Sequence, residues 1–292
     1  MNLKSINDCY TLENGMKIPC LGFGTYNAKN GDNLEIIRTA IRAGYRYFDT
    51  ASLYETERVL GQAIRESGIP REEFFIVSKA WIDERGYDEV KAAMDRSLQR
   101  LQMDYVDLYL IHWPKSSLEE TDWKERDAAT WRAMEEMCEA GKTRGLGLSN
   151  FLPNHIDAIL EHAKLKPQVD QLEIHPGYSQ EAAVAYGQEK GIRMQAWSPL
   201  ARGSMIDNEM LSVFTEKYGK STAQICLRFL IQKGIIPLVK SSTMERMKEN
   251  MDVFDFEIST EDMQILSCMP QNTWKGEHPE FKIPTKRSNF DQ

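Results

Sequence analysis

Short apolar segments recur along this chain near residues 20–24, 45–49, 74–79, 105–112, 143–148, 168–172, 192–197 and 235–239. Between them lie longer stretches whose apolar residues follow helical spacing, at 33–43, 57–66, 87–101, 127–140, 153–163 and 180–190. Strand and helix in alternation imply βαβ units and a parallel sheet. Eight strands with helices between them over roughly 250 residues is the size of a (β/α)8 TIM barrel, an α/β fold. A doubly wound sheet is the rival arrangement. Its dinucleotide fingerprint G-x-G-x-x-G is not met, since Gly22-Phe23-Gly24-Thr25-Tyr26-Asn27 and Gly145-Leu146-Gly147-Leu148-Ser149-Asn150 both lack the last glycine. No Pro/Gly/Ser-rich linker divides the chain, so residues 1–292 read as one domain.

The two ends depart from the alternation. Residues 10–18 form a short apolar pair around Asn14-Gly15, the strongest short-range hairpin signal, and predict a small β-hairpin at the bottom of the barrel. The tail beyond about Asn272 is polar, with Trp274, Pro279, Pro284 and the basic pair Lys286-Arg287. It reads as a C-terminal loop or extended arm over one face, with Trp274 closing a side of the pocket.

Three successive strands end in ionisable groups. Phe74-Phe75-Ile76-Val77-Ser78-Lys79 is apolar up to its lysine, Arg46-Tyr47-Phe48-Asp49 ends in a carboxylate, and Leu108-Tyr109-Leu110-Ile111-His112 ends in an imidazole. An ammonium buried without a partner is costly, so Lys79 must be paired, exposed at a rim, or used. In a barrel of this kind the active site lies at the C-terminal ends of the strands. Taken singly, Asp49 could cap a turn, Lys79 and Asp49 could be a structural ion pair, and His112 could be a core histidine. Together with Tyr54, just past Asp49, they suit a chemistry. A phenol near its usual pKa of ~10 exchanges protons poorly at neutral pH. A nearby lysine charge would lower that pKa, a carboxylate would hold the lysine, and a neutral histidine would orient a carbonyl oxygen toward the phenol. Such a set protonates an oxygen that gains negative charge, as a carbonyl does on accepting hydride.

Composition narrows the setting. The chain is 41% hydrophobic and 27% charged, as in ordinary globular proteins. It has no apolar run of 18 residues and no apolar segment at its start, so neither a membrane span nor a signal peptide is expected. Five widely spaced cysteines without a C-x-x-C argue against a disulfide framework or zinc site and for a reducing, cytoplasmic setting. A net charge of −8 without a long basic run argues against general nucleic-acid binding, while leaving room for a local phosphate pocket.

Across nearly its whole length the chain resembles the aldo-keto reductases, of the diketo-gluconate reductase and aldose reductase type. The resemblance is carried by Leu21-Gly22-Phe23-Gly24-Thr25, Gly44-Tyr45-Arg46-Tyr47-Phe48-Asp49-Thr50-Ala51, Ile76-Val77-Ser78-Lys79 and Leu108-Tyr109-Leu110-Ile111-His112-Trp113-Pro114. Gly147-Leu148-Ser149-Asn150-Phe151, Gln171-Leu172-Glu173-Ile174-His175-Pro176, Ser198-Pro199-Leu200 and Lys240-Ser241-Ser242-Thr243-Met244-Glu245-Arg246 continue it in order. The resemblance implies a (β/α)8 barrel that reduces aldehydes and ketones with NADPH, without metal, acting on a small-molecule carbonyl as a monomer or weak dimer. The family's catalytic tetrad falls on Asp49, Tyr54, Lys79 and His112. By that resemblance Tyr54 is the general acid, Lys79 tunes it, Asp49 supports Lys79, and His112 orients the carbonyl. Histidine rather than glutamate at 112 favours a carbonyl over a steroid double bond.

The same resemblance assigns the cofactor. Ser149, Asn150 and Gln171 match the positions that hold the nicotinamide carboxamide, and Trp197 stands where tyrosine usually stacks on the ring. Ser198, Leu200 and, less directly, Arg202 match the pyrophosphate loop. Lys240, Ser241, Ser242, Thr243 and Arg246 match the pocket for the adenosine 2′-phosphate, which implies NADPH over NADH. Glu249 and Asn250 match adenine contacts. Gly24, Thr25, Tyr26 and Asp49 complete the cofactor set. Tyr26, Trp81, His112 and Trp113 match residues that line the substrate pocket, an aromatic mouth. Val239, Thr56 and Asp170 stand where many relatives have proline, asparagine and asparagine. Two other readings remain open: a regulatory barrel that binds NADP(H) without turnover, and an unrelated barrel lyase using Lys79 in a Schiff base.

Overall fold

A computed structural model describes residues 3–26, 33–271 and 275–284. Trp274, Lys286 and Arg287 lie outside the described residues. The chain opens with β1 (Cys9–Thr11) and β2 (Lys17–Pro19), which pair antiparallel with Tyr10 opposite Ile18. Gly15 sits between them at φ 84°, the left-handed backbone region that glycine enters without steric cost. Eight further strands follow: β3 (Gly22–Gly24), β4 (Tyr47–Asp49), β5 (Phe75–Ala80), β6 (Leu108–Ile111), β7 (Leu146–Ser149), β8 (Val169–Glu173), β9 (Arg193–Trp197) and β10 (Ile236–Val239). All pair in parallel, in the order β10-β3-β4-β5-β6-β7-β8-β9, and the ring closes between β9 and β10. This is the (β/α)8 barrel, and each apolar segment of the sequence pattern overlaps one of its strands, with β5, β7 and β8 each running one residue further. Strands covered by helices outside and side chains inside have no wet face, which is why they read as apolar runs rather than alternating ones.

The helices are α1 (Asn33–Ala43), α2 (Glu57–Glu66), α3 (Tyr87–Leu101), α4 (Trp123–Glu139), α5 (Pro153–Leu160), α6 (Glu181–Glu189), α7 (Ser212–Tyr218), α8 (Thr222–Gln232), α9 (Met244–Met251) and α10 (Thr260–Ser267). The first three coincide with the periodic stretches. α4 begins four residues before the expected start, because Trp123 to Arg126 is a mostly polar turn that shows no apolar period. The turn is held from outside: Glu120 takes Arg126 at 3.3 Å, and buried Arg85 donates to Asp127 at 2.8 Å and to Glu120 at 2.9 Å. α8 is buried almost all round, and Ser221 and Gln224 cap its first turn reciprocally.

The hairpin plugs the N-terminal end of the barrel. Tyr10 donates its hydroxyl to Ile231 O, Asn14 N donates to Gln168 Oε1, and Asn14 Nδ2 donates to Arg144 O. Those partners close α8 or precede β7 and β8, so the opposite end, where the strands point, is the open one.

Candidate active site

Four side chains meet at the C-terminal ends of β4, β5 and β6. Lys79 is fully buried, so its charge needs a partner. Asp49, on the neighbouring strand, supplies it: Lys79 Nζ donates to Asp49 Oδ1 at 2.6 Å and to Thr50 O at 2.9 Å. The ammonium then lies 3.4 Å from Tyr54 Oη, and the same oxygen lies 3.3 Å from His112 Nε2. Tyr54 ends a single 3₁₀ turn, Ser52–Tyr54, just past Asp49, which swings its ring back over the strand ends. One phenol is thus in reach of both a cation and an imidazole.

Burial dominates the electrostatics of the phenol. Burial pushes the Tyr54 hydroxyl well above its usual range, and Asp49 adds to the rise. The carboxylate 2.6 Å from the ammonium offsets part of its field at the phenol. Burial also lowers the Lys79 pKa, against the pull of Asp49. A phenol raised in this way favours its protonated form, which can donate.

The other arc of the barrel mouth, from β7 to β9, is rich in hydroxyl and amide groups. Ser149 donates its hydroxyl to Gln171 O at 3.0 Å, and Asn150 Nδ2 donates to Ser149 Oγ and to His112 O. Gln171 Nε2 donates to Asp49 Oδ2 at 2.9 Å. Asp49 thus uses one oxygen for Lys79 and the other for Gln171, and so joins the two arcs. Trp197 donates its indole N–H to Asn150 Oδ1 at 2.9 Å, a bond that a phenol in its place would not make from a ring nitrogen.

Beyond Trp197 the chain takes three strained turns. Ser198, Ala201 and Arg202 have φ of 48°, 47° and 53°, each a left-handed conformation costing a non-glycine residue on the order of 1 kcal/mol. Arg202 lies over the Trp197 ring at 6.0 Å. Past β10, Thr243 caps α9 by accepting from Arg246 N, and Asn250 Nδ2 donates to Ser241 Oγ at 3.1 Å. Ser242 and Glu249 belong to the same loop and helix. β10 neighbours β3, so this cluster borders Gly24 and Thr25. Thr25 Oγ1 lies 2.8 Å from Thr56 Oγ1, which lies 2.9 Å from Thr50 Oγ1, so three hydroxyls are linked here.

The aromatic residues gather around His112. The Trp81 ring stands edge-on to the imidazole at 4.8 Å, and half-exposed Tyr26 packs on Tyr54 at 4.9 Å. Trp113 packs with Trp81, Ile82 and Leu53.

The tail, expected from its polar sequence to lie as an arm over one face, does so in its described part, residues 275–284. It is strapped over the mouth by three carboxylates. Glu173, at the end of β8, accepts from Lys275 N at 2.8 Å and Gly276 N at 3.0 Å. Glu277 pairs with Arg202 at 3.6 Å. Glu280 takes Lys115 Nζ at 2.8 Å and lies 2.8 Å from His155 Nε2. The histidine's other nitrogen accepts from Leu152 N, so Nε2 carries the proton toward Glu280 while the ring is neutral. Burial lowers the His155 pKa to about 4, which keeps it so. The Glu173 and Glu280 partners are more than 100 residues apart in sequence and Arg202 and Glu277 are 75 apart, so no local pattern marks them.

Comparison with known proteins places this architecture. Residues 20–268 match the model of the Aldo/keto reductase family. The glyoxal reductase of Bacillus subtilis (strain 168) is 42% identical over 277 residues, covering 94% of this chain and 98% of its own. The crystal structure of an aldo/keto reductase from Brucella melitensis superposes with a TM-score of 0.83 at 37% identity, over 89% of this chain and 98% of that one. An aldo-keto reductase of Bombyx mori, solved in complex with NADP, superposes with a TM-score of 0.81 at 35% identity, over 89% and 91%.

Proposed function

The chain belongs to the aldo/keto reductase family, and on that premise we propose that it reduces aldehydes and ketones to alcohols with NADPH, with Tyr54 as the proton donor. The observation that carries the reading is the Tyr54 hydroxyl, 3.3–3.4 Å from both His112 Nε2 and Lys79 Nζ.

The donor set fits the cofactor. Ser149, Asn150 and Gln171 offer hydroxyl and amide groups side by side, the donors and acceptors a carboxamide requires. Trp197 offers a ring to stack on. Lys240 and Arg246 with Ser241, Ser242 and Thr243, at the start of α9, suit a phosphate dianion. Glu249 and Asn250, one turn further on, would meet the adenine, and Ser198, Leu200 and Arg202 the pyrophosphate. When bound, NADPH supplies the hydride that reduces the carbonyl carbon.

The chain's own residues do the rest. His112 Nε2 orients the carbonyl oxygen toward Tyr54, as Trp81, Trp113 and Tyr26 keep water from the reacting oxygen. Tyr54 Oη gives its proton to that oxygen as negative charge grows there. Lys79 then faces a developing phenolate at 3.4 Å, an interaction stronger in the transition state than before it. Asp49 keeps Lys79 charged and aimed. All five cysteines are free, which suits a reducing compartment such as the cytoplasm.

The test is absorbance at the nicotinamide band with purified protein, NADPH or NADH, and a panel of aldehydes, ketones, keto-sugars and small dicarbonyls such as glyoxal. Carbonyl-dependent oxidation of NADPH, faster than that of NADH, is the expected result. Tight NADPH binding with no turnover of any carbonyl would point to a regulatory barrel instead.

A further inference from the structure

We infer that Glu84 is a positioning residue that holds the proton donor Tyr54 and the wall residue Trp81 against His112. The inference rests on the functional reading above for its kinetic consequence, but not for its geometry.

Glu84 lies in the turn after β5 and is buried. In sequence it belongs to Ile82-Asp83-Glu84-Arg85, which reads as an ordinary charged loop. In the structure its Oε2 accepts two hydrogen bonds at once. One comes from Trp81 N at 2.9 Å, and Glu84 N returns a bond to Trp81 O at 3.0 Å. The other comes from Ser52 Oγ at 2.5 Å. Its Oε1 meets Arg96 at 3.1 Å. A single oxygen therefore ties the turn carrying Trp81 to the 3₁₀ turn carrying Tyr54.

The tie acts at the right place. Ser52 is two residues before Tyr54, and Leu53 between them packs into the cluster of Trp81, Ile82 and Trp113. Lys79 Nζ grips the same segment two residues earlier, at Thr50 O. Downstream, Ser78 Oγ donates to Glu57 Oε1 at 2.7 Å. The stretch from Thr50 to Glu57 is thus bonded to β5 and its turn at Thr50, Ser52 and Glu57, with Glu84 holding Ser52, two residues before Tyr54. What the tie holds is the meeting at His112, with Trp81 edge-on at 4.8 Å on one side and the Tyr54 ring at 5.5 Å on the other. A small displacement of a reacting group can cost one to two powers of ten in rate, so such a brace matters beyond its hydrogen bonds.

The role requires an acceptor at Oε2, not a charge. Glu84→Gln can keep its oxygen on Ser52 and Trp81, leaving Arg96, which is partly exposed, to solvent. Glu84→Ala removes both bonds. Two readouts are taken on wild type, both variants, Ser52→Ala and the double variant Ser52→Ala/Glu84→Ala. The first is kcat at saturating NADPH and carbonyl, with NADPH affinity measured separately. The second, independent of turnover, is the chemical shift of the His112 ring protons, which the Trp81 and Tyr54 rings perturb. We expect Glu84→Ala to lower kcat on the order of tenfold, leave NADPH affinity within about twofold and displace the His112 signals. Glu84→Gln should stay near wild type in all three, and the double variant should be no worse than Glu84→Ala alone, since Ser52→Ala removes only a bond that Glu84→Ala has already removed. Unmoved His112 signals in Glu84→Ala, or fully additive losses in the double variant, would overturn the inference. Should Glu84→Ala not fold, Ser52→Ala carries the test, and unchanged His112 signals there overturn it. If the wild type reduces no carbonyl, the functional reading fails while the His112 shifts still decide the brace.

Discussion

At the scale of single residues, two buried carboxylates show opposite uses of burial. Asp49 is bonded on both oxygens, by Lys79 and Gln171. Removing its partner strands it: Lys79→Met should cost about 3–5 kcal/mol of stability and lower kcat by roughly 10²-fold or more. Adding Asp49→Asn should restore stability but not activity, as read by denaturant melts beside the kinetics. Recovery of both would mean that the pair is only structural. Asp170 has neither oxygen satisfied, although the backbone amides of Phe151 and Gln171 face it. Burial pushes its pKa well above the carboxylate range. An acid raised in the folded state contributes its stability below the unfolded pKa of ~3.9 and loses it as pH rises toward the folded value. Asp170→Asn removes that loss and keeps the shape. The variant should melt higher than wild type at pH 7–8, with the gap closing toward pH 4. A constant gap at every pH would contradict this account.

Secondary-structure elements show what could be read in advance and what could not. Eight apolar runs and their polar last residues placed the barrel and four residues of its mouth, because a strand buried on both faces leaves an unmistakable pattern and a charge at its end needs a reason. The first turn of α4 was illegible, since Arg85, Glu120 and Arg126 hold it by ion pairs rather than by an apolar period. Glu84, Glu173 and Glu280 were illegible for a related reason. Glu84 follows another acid in a charged turn, Glu280 lies in a polar tail and Glu173 ends a strand, and the importance of each comes from donors that only the folded chain brings near. The strap across the mouth is the element that follows from them. Gly276 lies so close to Trp197 that an added Cβ would sit 2.2 Å from Cη2 of the ring. Gly276→Ala must shift the ring or lift the strap. NADPH affinity, followed by tryptophan fluorescence quenching, should fall severalfold (on the order of 1 kcal/mol), while the melting temperature should hardly change. Unaltered affinity would remove the strap from the cofactor's path.

For the whole molecule, a net charge of −8 surrounds a local group of cations after β10. A dianionic phosphate would reach that group against the general field, so recognition must be short-range and charge-assisted. Lys240→Ala with Arg246→Ala should weaken NADPH on the order of 10²-fold and leave NADH nearly untouched, by direct titration. Equal loss for both would move the phosphate site elsewhere. The barrel divides its mouth between an ionic arc at β4 to β6 and an amide-rich arc at β7 to β9, with Asp49 bonded to both. The division matches a proton donor on one side and a cofactor on the other, and it makes Tyr54 the single atom source on which the account turns. The most direct measurement is carbonyl-dependent NADPH oxidation by Tyr54→Phe, with NADPH affinity determined on the same preparation. The account predicts a kcat lowered by about 10²–10⁴-fold with cofactor affinity within about twofold. A variant that keeps kcat within a fewfold of wild type would contradict it.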